Sequence, residues 1–235
     1  MNESEVVSRS AWLAARKQLL ATEERAARLL AEAGAQRRAL PMVRIDKTYV
    51  FEGQGGKVDL FDLFAGRSQL IVYHFMFDPA WNEGCRFCSY LVDNIGNLSH
   101  LHARDTELAL VSRPPLAKLE SFRARMGWTV PWYSSAGSDF NYDFHVTLDE
   151  AIAPVEYKFQ DKASLARAGE VWLTTGEQNG VSVFVQRDGT VHHTYSAYVE
   201  GAELLNGTDN YLDLTPQGRP MLAEVGGWLR LHDRY

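Results

Sequence analysis

The sequence predicts an α/β fold in which helices cover a central sheet. Two apolar runs, "QLIVYHFMF" and "TELALVS", have the continuous β-branched and aromatic character of buried strands. Between them, Leu91, Ile95 and Leu98 step at four and three positions, which indicates one face of a helix. Later, "GVSVFVQRDGTVHHTYSAY" predicts a hairpin that turns at Asp188-Gly189. Strands that alternate with helices form a mostly parallel sheet, to which this hairpin adds an antiparallel side.

The chain begins with an Ala-, Arg-, Glu- and Leu-rich segment, residues 3–37, that predicts one long helix or two short ones ending by Pro41. Its apolar side chains recur at roughly helical spacing: Trp12, Leu13, Leu19, Leu20, Leu29 and Leu30. Mixed charges favour packing against its own domain or a second subunit, as in a homodimer, over a membrane-surface or partner helix. We therefore predict an N-terminal helical extension at 1–40 and a domain at 41–235.

Short strands and turns follow the extension. "VRIDKTYVFEGQGGKVDL" predicts two strands around a Gly-rich turn, and no helix follows "GQGG" as a dinucleotide site would require. "DLFDLFAG" predicts a short helix capped by Asp59 and ended by Gly66. After "TELALVS", a helix over 116–126 is expected to end at Gly127.

The last third of the chain is less regular. "VPWYS" is extended, and residues 136–179 are aromatic and acidic, which indicates an insertion before the terminal hairpin. "TPQGRP" and "WLRLHDRY" indicate only short helices and loops. The whole order is strand, helix, strand, Cys-x-x-Cys helix, strand, helix and hairpin, which is the thioredoxin layout.

Composition excludes several classes of function. The 235 residues are 46% hydrophobic and 23% charged, which is ordinary for a globular protein. A formal net charge of −6 argues against nucleic acid as a partner, because phosphate binding needs a basic surface. The run from Leu70 to Phe77 is too short to cross a membrane, and "MNESEVVS" does not resemble a secretory signal. We expect a cytoplasmic protein without a membrane partner.

The cysteines at positions 85 and 88 are the strongest functional signal. Cys85 follows a buried strand by eight residues and is expected to open a helix, where unpaired N–H groups and the helix dipole favour a thiolate. Arg86 adds a positive charge, and Cys88 lies one turn later, within disulfide reach. Two alternatives remain open: a zinc site completed by histidines, and two inert core cysteines.

Several segments together resemble one known group of proteins. They are "WLAARKQLLATEERAAR", "RRALPMVRIDKTYVFEG", "VDLFDLFAGRSQLIVYHFMFDPAWNEGCRFCSY", "RMGWTVPWYSS", "FNYDF", "LDLTPQGR" and "HDRY". The chain thus resembles, over nearly its whole length, the bacterial thioredoxin-like proteins of domain-of-unknown-function family 899, often described as predicted dithiol-disulfide isomerases. The resemblance implies a thioredoxin-like fold of the peroxiredoxin branch, with a central mixed sheet flanked by helices.

Two positions depart from better-known relatives. Thioredoxin-like reductants carry a cis-proline at the strand facing the cysteines, where this chain has Val181 by our count. Without that proline, substrate binding by backbone pairing is in doubt. Peroxiredoxins place a proline seven and a Thr or Ser three residues before their reactive cysteine, where this chain has Asp78 and Asn82. A standard peroxidase site is therefore not predicted.

Other residues are candidates for the surroundings of the site. Arg113 follows the strand "TELALVS" and is a candidate second cation for a substrate carboxylate or the thiolate; the alternative is a solvated loop arginine. Trp81, four residues before Cys85, is a candidate to shield the pair or stack on a substrate, and packing is the alternative. His74 alternates with Val72 and Met76, which favours a core histidine over a proton shuttle.

These observations predict a thiol-disulfide oxidoreductase in which Cys85 is the nucleophile and Cys88 resolves the mixed disulfide. Its substrate is expected to be a disulfide-containing molecule or a small thiol, and no cofactor or metal is expected. The alternative is a non-catalytic thioredoxin-like binding or assembly module with inert or zinc-bound cysteines.

Overall fold

The computed structural model describes residues 5–220 and 227–235. Residues 1–4 of the predicted extension and 221–226 of the C-terminal segment lie outside the described residues. The α-helices are α1 (Arg9–Ala39), α2 (Arg86–Asp93), α3 (Ser99–His102), α4 (Leu116–Arg125), α5 (Phe140–Asp143), α6 (Lys162–Arg167) and α7 (Gly207–Leu212). The strands are β1 (Val43–Arg44), β2 (Val50–Gly53), β3 (Gly56–Asp59), β4 (Gln69–His74), β5 (Thr106–Ser112), β6 (Trp132–Ser134), β7 (Thr147–Leu148), β8 (Glu156–Tyr157), β9 (Gln160–Asp161), β10 (Gly176–Glu177), β11 (Gly180–Arg187) and β12 (Thr190–Ala197).

The central sheet is mixed, with the order β1-β12-β11-β4-β5-β6-β2-β3. Strand β4 runs parallel to β5, and β5 runs parallel to β6. The other neighbours pair antiparallel, so the expectation of a mostly parallel sheet is wrong. A β4–α2–β5 crossover flanked by the antiparallel β11–β12 hairpin is nevertheless the order of a thioredoxin core. The α/β fold class, with a central mixed sheet flanked by helices, is confirmed.

Helices lie on both faces of the sheet because β4 alternates its side chains between two hydrophobic clusters. Tyr73 belongs to the cluster that α2 and α4 cover through residues such as Leu91 and Leu119. Val72 belongs to the opposite cluster, which Phe64 and Phe140 cover. A strand that is buried on both sides carries apolar residues at nearly every position, which explains the continuous run in the sequence.

The turns were predicted better than the ends of the elements. The hairpin over "GQGG" is confirmed by the pairing of Gly53 with Gly56, and the turn at Asp188-Gly189 by the pairing of Arg187 with Thr190. Strand β4 ends at His74 rather than Phe77. Helix α2 ends at Asp93, before Ile95 and Leu98, so the helix predicted through those residues is too long.

Two other predicted elements differ in kind. The helix over "DLFDLFAG" is a single 3₁₀ turn, Asp62–Phe64, in which the Asp59 carboxylate accepts from the Asp62 N–H at 3.0 Å. The segment 136–179 is not wholly irregular: short elements from α5 to β10 surround a small core. That core is formed by Val146, Leu148, Val155, Tyr157, Leu165, Leu173 and Tyr198.

The N-terminal extension forms one continuous helix, α1, of 31 residues. Ser8 caps it by accepting a hydrogen bond from the Ala11 N–H at 3.2 Å. None of its residues is buried, so the expectation that it packs against its own domain is wrong. The Arg37 guanidinium lies 5.4 Å from the Tyr195 ring near the C-terminal end of the helix. Packing against a second subunit stays a prediction.

A buried polar chain crosses the sheet on the side away from α2. His74 is 1% exposed, and its Nε2 lies 2.8 Å from the Ser182 hydroxyl. Ser182 lies 2.9 Å from Ser196, which lies 2.8 Å from Nε2 of His193. Burial lowers the pKa of His74 to about 3, with a smaller contribution from His193. His74 is therefore a neutral core residue, as the sequence favoured.

This burial predicts acid sensitivity. Because the pKa of His74 falls from its ordinary value near 6.5 to about 3 on folding, the unfolded chain binds its proton first as pH drops. The contribution of neutral His74 to the free energy of unfolding is fully present above about pH 6.5. It is lost toward pH 3, by at most ~1.4 kcal/mol per pH unit. His74→Gln is expected to flatten that slope in urea unfolding, whereas exposed His100→Gln should not. Equal slopes for wild type and His74→Gln would refute the assignment.

Candidate active site

A loop over residues 75–84 carries the cysteines from the end of β4 to the start of α2. Phe75 and Phe77 anchor it in the core, each 1% exposed. The backbone of Met76 holds both cysteines: its carbonyl accepts from the Cys85 N–H at 3.1 Å, and its N–H donates to the Cys88 sulfur at 3.3 Å. The position of the pair therefore depends on the strand end and not on the helix alone.

Gly84 lets the loop pass close to two aromatic side chains. A Cβ at this position would lie 2.6 Å from a ring carbon of Phe75 and 2.9 Å from one of Phe122. Both distances are shorter than real carbon contacts allow, so no larger residue fits without movement. The glycine immediately before Cys85 is thus required by packing.

Cys85 and Cys88 differ in environment although they lie 4.0 Å apart. Cys85 is the N-cap of α2 and is partly exposed, whereas Cys88 is fully buried. Both are free thiols in this structure. No disulfide joins them, so the structure represents the reduced pair.

The two thiols have opposite acid–base tendencies. The pKa of Cys85 is lowered to about 7, first by a hydrogen bond with the Cys88 side chain, which outweighs burial. The backbone N–H groups of Cys88 and Phe87 and the charge of Arg86 act in the same direction. The pKa of Cys88 is raised well above its ordinary value, mainly by burial and then by Cys85. Cys85 is therefore the thiol that ionises first.

Arg86 and Trp81 lie on the exposed side of the pair. Arg86 begins α2, and its guanidinium carbon lies 5.3 Å from the Phe87 ring. Trp81 lies on the loop, and its side chain is 38% exposed. Its backbone N–H donates to the Asp78 carbonyl at 2.9 Å. The structure thus places Arg86 beside Cys85, and a substrate-stacking role for Trp81 stays a prediction.

Arg113 is held in an ion-pair cluster. Its Nε donates to Glu177 at 2.6 Å, and its Nη2 lies 3.3 Å from Asp78. Its Nη1 donates to the Tyr142 hydroxyl at 3.2 Å. Glu177 is 4% exposed and accepts a further bond from Thr147 at 2.9 Å. The solvated-loop alternative is therefore wrong. A role for Arg113 toward substrate or thiolate stays a prediction. Its charge is already paired with Glu177 and Asp78.

Val181 lies inside β11 rather than at its start. It pairs with Tyr73 of β4 and is 7% exposed in the same cluster as Cys88. No cis peptide bond occurs in the described ranges. Gly180 opens the strand. Our placement of the strand-opening position at Val181 is thus one residue too late.

Tyr73 is a site residue that the sequence analysis missed. Its hydroxyl is fully buried, and burial, followed by Cys88, raises its pKa well above the ordinary value. The available signal was strand alternation: in β4, Tyr73 and Ile71 face the side that α2 covers. A polar hydroxyl on that face lies beneath the cysteine helix.

The family comparison decides what the chain is related to. The model of a bacterial protein family of unknown function, DUF899, matches residues 1–235. The chain belongs to this family. No curated protein matches this DUF899 member.

Solved structures similar to this DUF899 protein include thiol peroxidases. A cysteine-to-serine mutant of PrxQ from Xylella fastidiosa is 16% identical with a TM-score of 0.41, covering 72% of this chain and 97% of that one. Peroxiredoxin Q from Xanthomonas campestris is 13% identical with a TM-score of 0.45, covering 72% and 95%. Peroxidoxin BcpB from Mycobacterium tuberculosis is 12% identical with a TM-score of 0.39, covering 72% and 94%.

The described part of this DUF899 protein has neither a candidate metal site nor a candidate membrane-spanning helix. Within residues 5–220 and 227–235, no group of three or more His, Cys, Asp and Glu side chains is placed to hold a metal ion. In the same residues, no helix combines the length and the apolar character needed to cross a membrane. Two histidines that a zinc site could use are hydrogen-bonded to other side chains: Nε2 of His102 lies 3.1 Å from Glu107, and Nε2 of His193 lies 2.8 Å from Ser196.

Proposed function

We propose that this protein is a thiol-disulfide oxidoreductase that uses Cys85 as the nucleophile and Cys88 as the resolving thiol. The observation that carries the proposal is the opposite environment of two thiols 4.0 Å apart. Cys85 is partly exposed with a lowered pKa, and Cys88 is buried with a raised one. An accessible thiolate attacks a disulfide, and a neighbouring thiol then displaces it from the mixed disulfide.

The reversible disulfide between the two cysteines is the direct test. Mild oxidant should remove two hydrogens from the intact mass, and dithiothreitol should restore them. Cys88→Ala is the matched control, which should show no such loss. Stoichiometric zinc in the purified protein, or no change in mass, would favour the alternative of a non-catalytic binding or assembly module. The absence of the strand-opening proline is the observation that favours that alternative.

The order of influences on Cys85 predicts a graded titration. The rate of Cys85 alkylation by iodoacetamide should rise with pH around a midpoint near 7. Cys88→Ala should move the midpoint upward the most, because the Cys88 hydrogen bond is the largest cause of the lowered pKa. Arg86→Gln should move it upward by less than about one pH unit, since this charge is a smaller contribution.

The matched control for this titration is Arg104→Gln, which removes an exposed arginine outside α2 and should leave the midpoint unchanged. A wild-type midpoint above about pH 8 would contradict the low pKa. A larger shift from Arg86→Gln than from Cys88→Ala would contradict the order of causes.

A further inference from the structure

A cavity of about 190 Å³ lies beside the cysteine helix. Phe87, between the two cysteines, lines it, together with Tyr73, whose hydroxyl interacts with Cys88. Tyr90 and Trp228 form an edge-to-face aromatic pair in its wall, with ring centroids 6.0 Å apart. The cavity is larger than a single water needs, so it has room for part of a small molecule.

Two buried polar atoms in this wall have no hydrogen-bond partner among the described residues. They are the Asn206 Oδ1 and the Trp228 Nε1. Buried polar groups of native proteins are nearly always satisfied, so two in one cavity indicate a polar ligand. The indole N–H is a donor, and the Asn206 oxygen is an acceptor.

Two charged residues of the same wall, Arg219 and Asp209, are already paired, and the third, the exposed Glu203, helps to raise the pKa of Arg219. Arg219 donates to Asp213 at 2.8 Å and lies 3.9 Å from Asp209. Asp209 also accepts from the Tyr90 hydroxyl at 2.9 Å. The cavity therefore offers one donor and one acceptor, and the exposed carboxylate of Glu203 disfavours an anionic ligand. Aromatic walls with this polar set fit an uncharged amide, whose carbonyl accepts and whose N–H donates.

We propose that this cavity binds the amide group of a small disulfide substrate, and so selects low-molecular-weight amide-bearing disulfides over simple alkyl ones. The proposal rests on the proposed function of the cysteine pair. Cys85 thiolate forms a bond to one substrate sulfur, and the substrate S–S bond breaks to release one thiolate. Cys88, deprotonated, then attacks Cys85 and releases the second thiolate. The two cysteines are oxidised by two electrons, and the substrate is reduced to two thiols, which take up two protons.

The kinetic test compares two probe disulfides with the reduced protein. Bis(N-acetylcysteamine) disulfide carries the amide, and bis(2-hydroxyethyl) disulfide lacks it. The amide-bearing probe should oxidise the pair faster. Trp228→Phe removes the indole donor and should lower the ratio of the two rates about ten-fold, as expected for one lost hydrogen bond. Trp172→Phe, the same change at an exposed tryptophan, should leave the ratio unchanged.

A binding test separates this inference from the proposed function. N-acetyl-S-methylcysteamine has the amide but no disulfide, and ligand-observed NMR should detect its saturable binding to Cys85→Ser protein. Trp228→Phe in that background should weaken binding about ten-fold. Turnover of both disulfides at equal rates, or no binding, would overturn the inference and leave the oxidoreductase proposal intact. Binding without turnover of either disulfide would overturn the oxidoreductase proposal and support the amide site alone.

Discussion

Cys85→Ser is expected to abolish reduction of a disulfide substrate, and Cys88→Ser is expected to stop the reaction at a covalent mixed disulfide. In the proposed reaction the partly exposed Cys85, with its lowered pKa, supplies the attacking thiolate, and a serine hydroxyl at that position is not ionised near neutral pH. We expect Cys85→Ser to lower the rate at least about a hundred-fold. Without Cys88, no thiol 4.0 Å away remains to release the adduct.

Intact mass spectrometry after a brief reaction with a probe disulfide distinguishes the two variants. Cys88→Ser should carry one probe thiol per chain, removable by dithiothreitol, and Cys85→Ser should carry none. The double variant Cys85→Ser/Cys88→Ser is the matched control for non-specific labelling. Equal adducts in both single variants would refute the division of labour, and adducts in neither would favour the binding-module alternative.

Arg113→Met should destabilise the protein by about 3–5 kcal/mol, because it leaves a buried carboxylate without its cation. Glu177 is 4% exposed, and Arg113 provides its ion pair at 2.6 Å. Methionine keeps the length and apolar stem of the side chain while removing the charge. Burial already raises the pKa of Glu177 even with the arginine present, so the partner is needed to keep the carboxylate ionised.

Urea unfolding of three variants would measure this effect. Arg113→Met/Glu177→Leu removes both charges and should recover most of the stability lost in the single variant. Arg125→Met breaks a more exposed set of ion pairs, with Glu83 and Asp233, and should cost less than about 1 kcal/mol. If Arg113→Met costs no more than Arg125→Met, the buried pair does not stabilise the fold as described.

The sequence predicted what depends on local pattern. Strand β4 and the β11–β12 hairpin were found because burial on two faces and an Asp-Gly turn leave direct marks in the residues. Both cysteines were placed at the start of α2 because they follow the buried strand and precede the apolar spacing that begins at Leu91. The end of that helix was not predicted, because Ile95 and Leu98 continue the apolar spacing beyond Asp93, where the helix ends.

Other features depend on contacts between distant parts of the chain. The Arg113–Glu177 pair joins residues 64 positions apart, and no local pattern links them. The small core of the 136–179 segment is assembled from elements of only two to six residues, which are too short to show a period. Helix α1 illustrates the opposite case: its apolar spacing was recognised, but periodicity does not reveal whether a partner covers it.

The close approach at Gly84 has a consequence for how this sequence can diverge. The Gly84 Cα sits against Phe75 and Phe122, so the side-chain volumes at these three positions are linked. Alanine at 84 would be tolerated only with a smaller residue at one of the aromatic positions, and each change alone would leave either a clash or a void. Substitutions within the family should therefore occur together at these three positions, and Gly84, next to Cys85, has the least freedom to change.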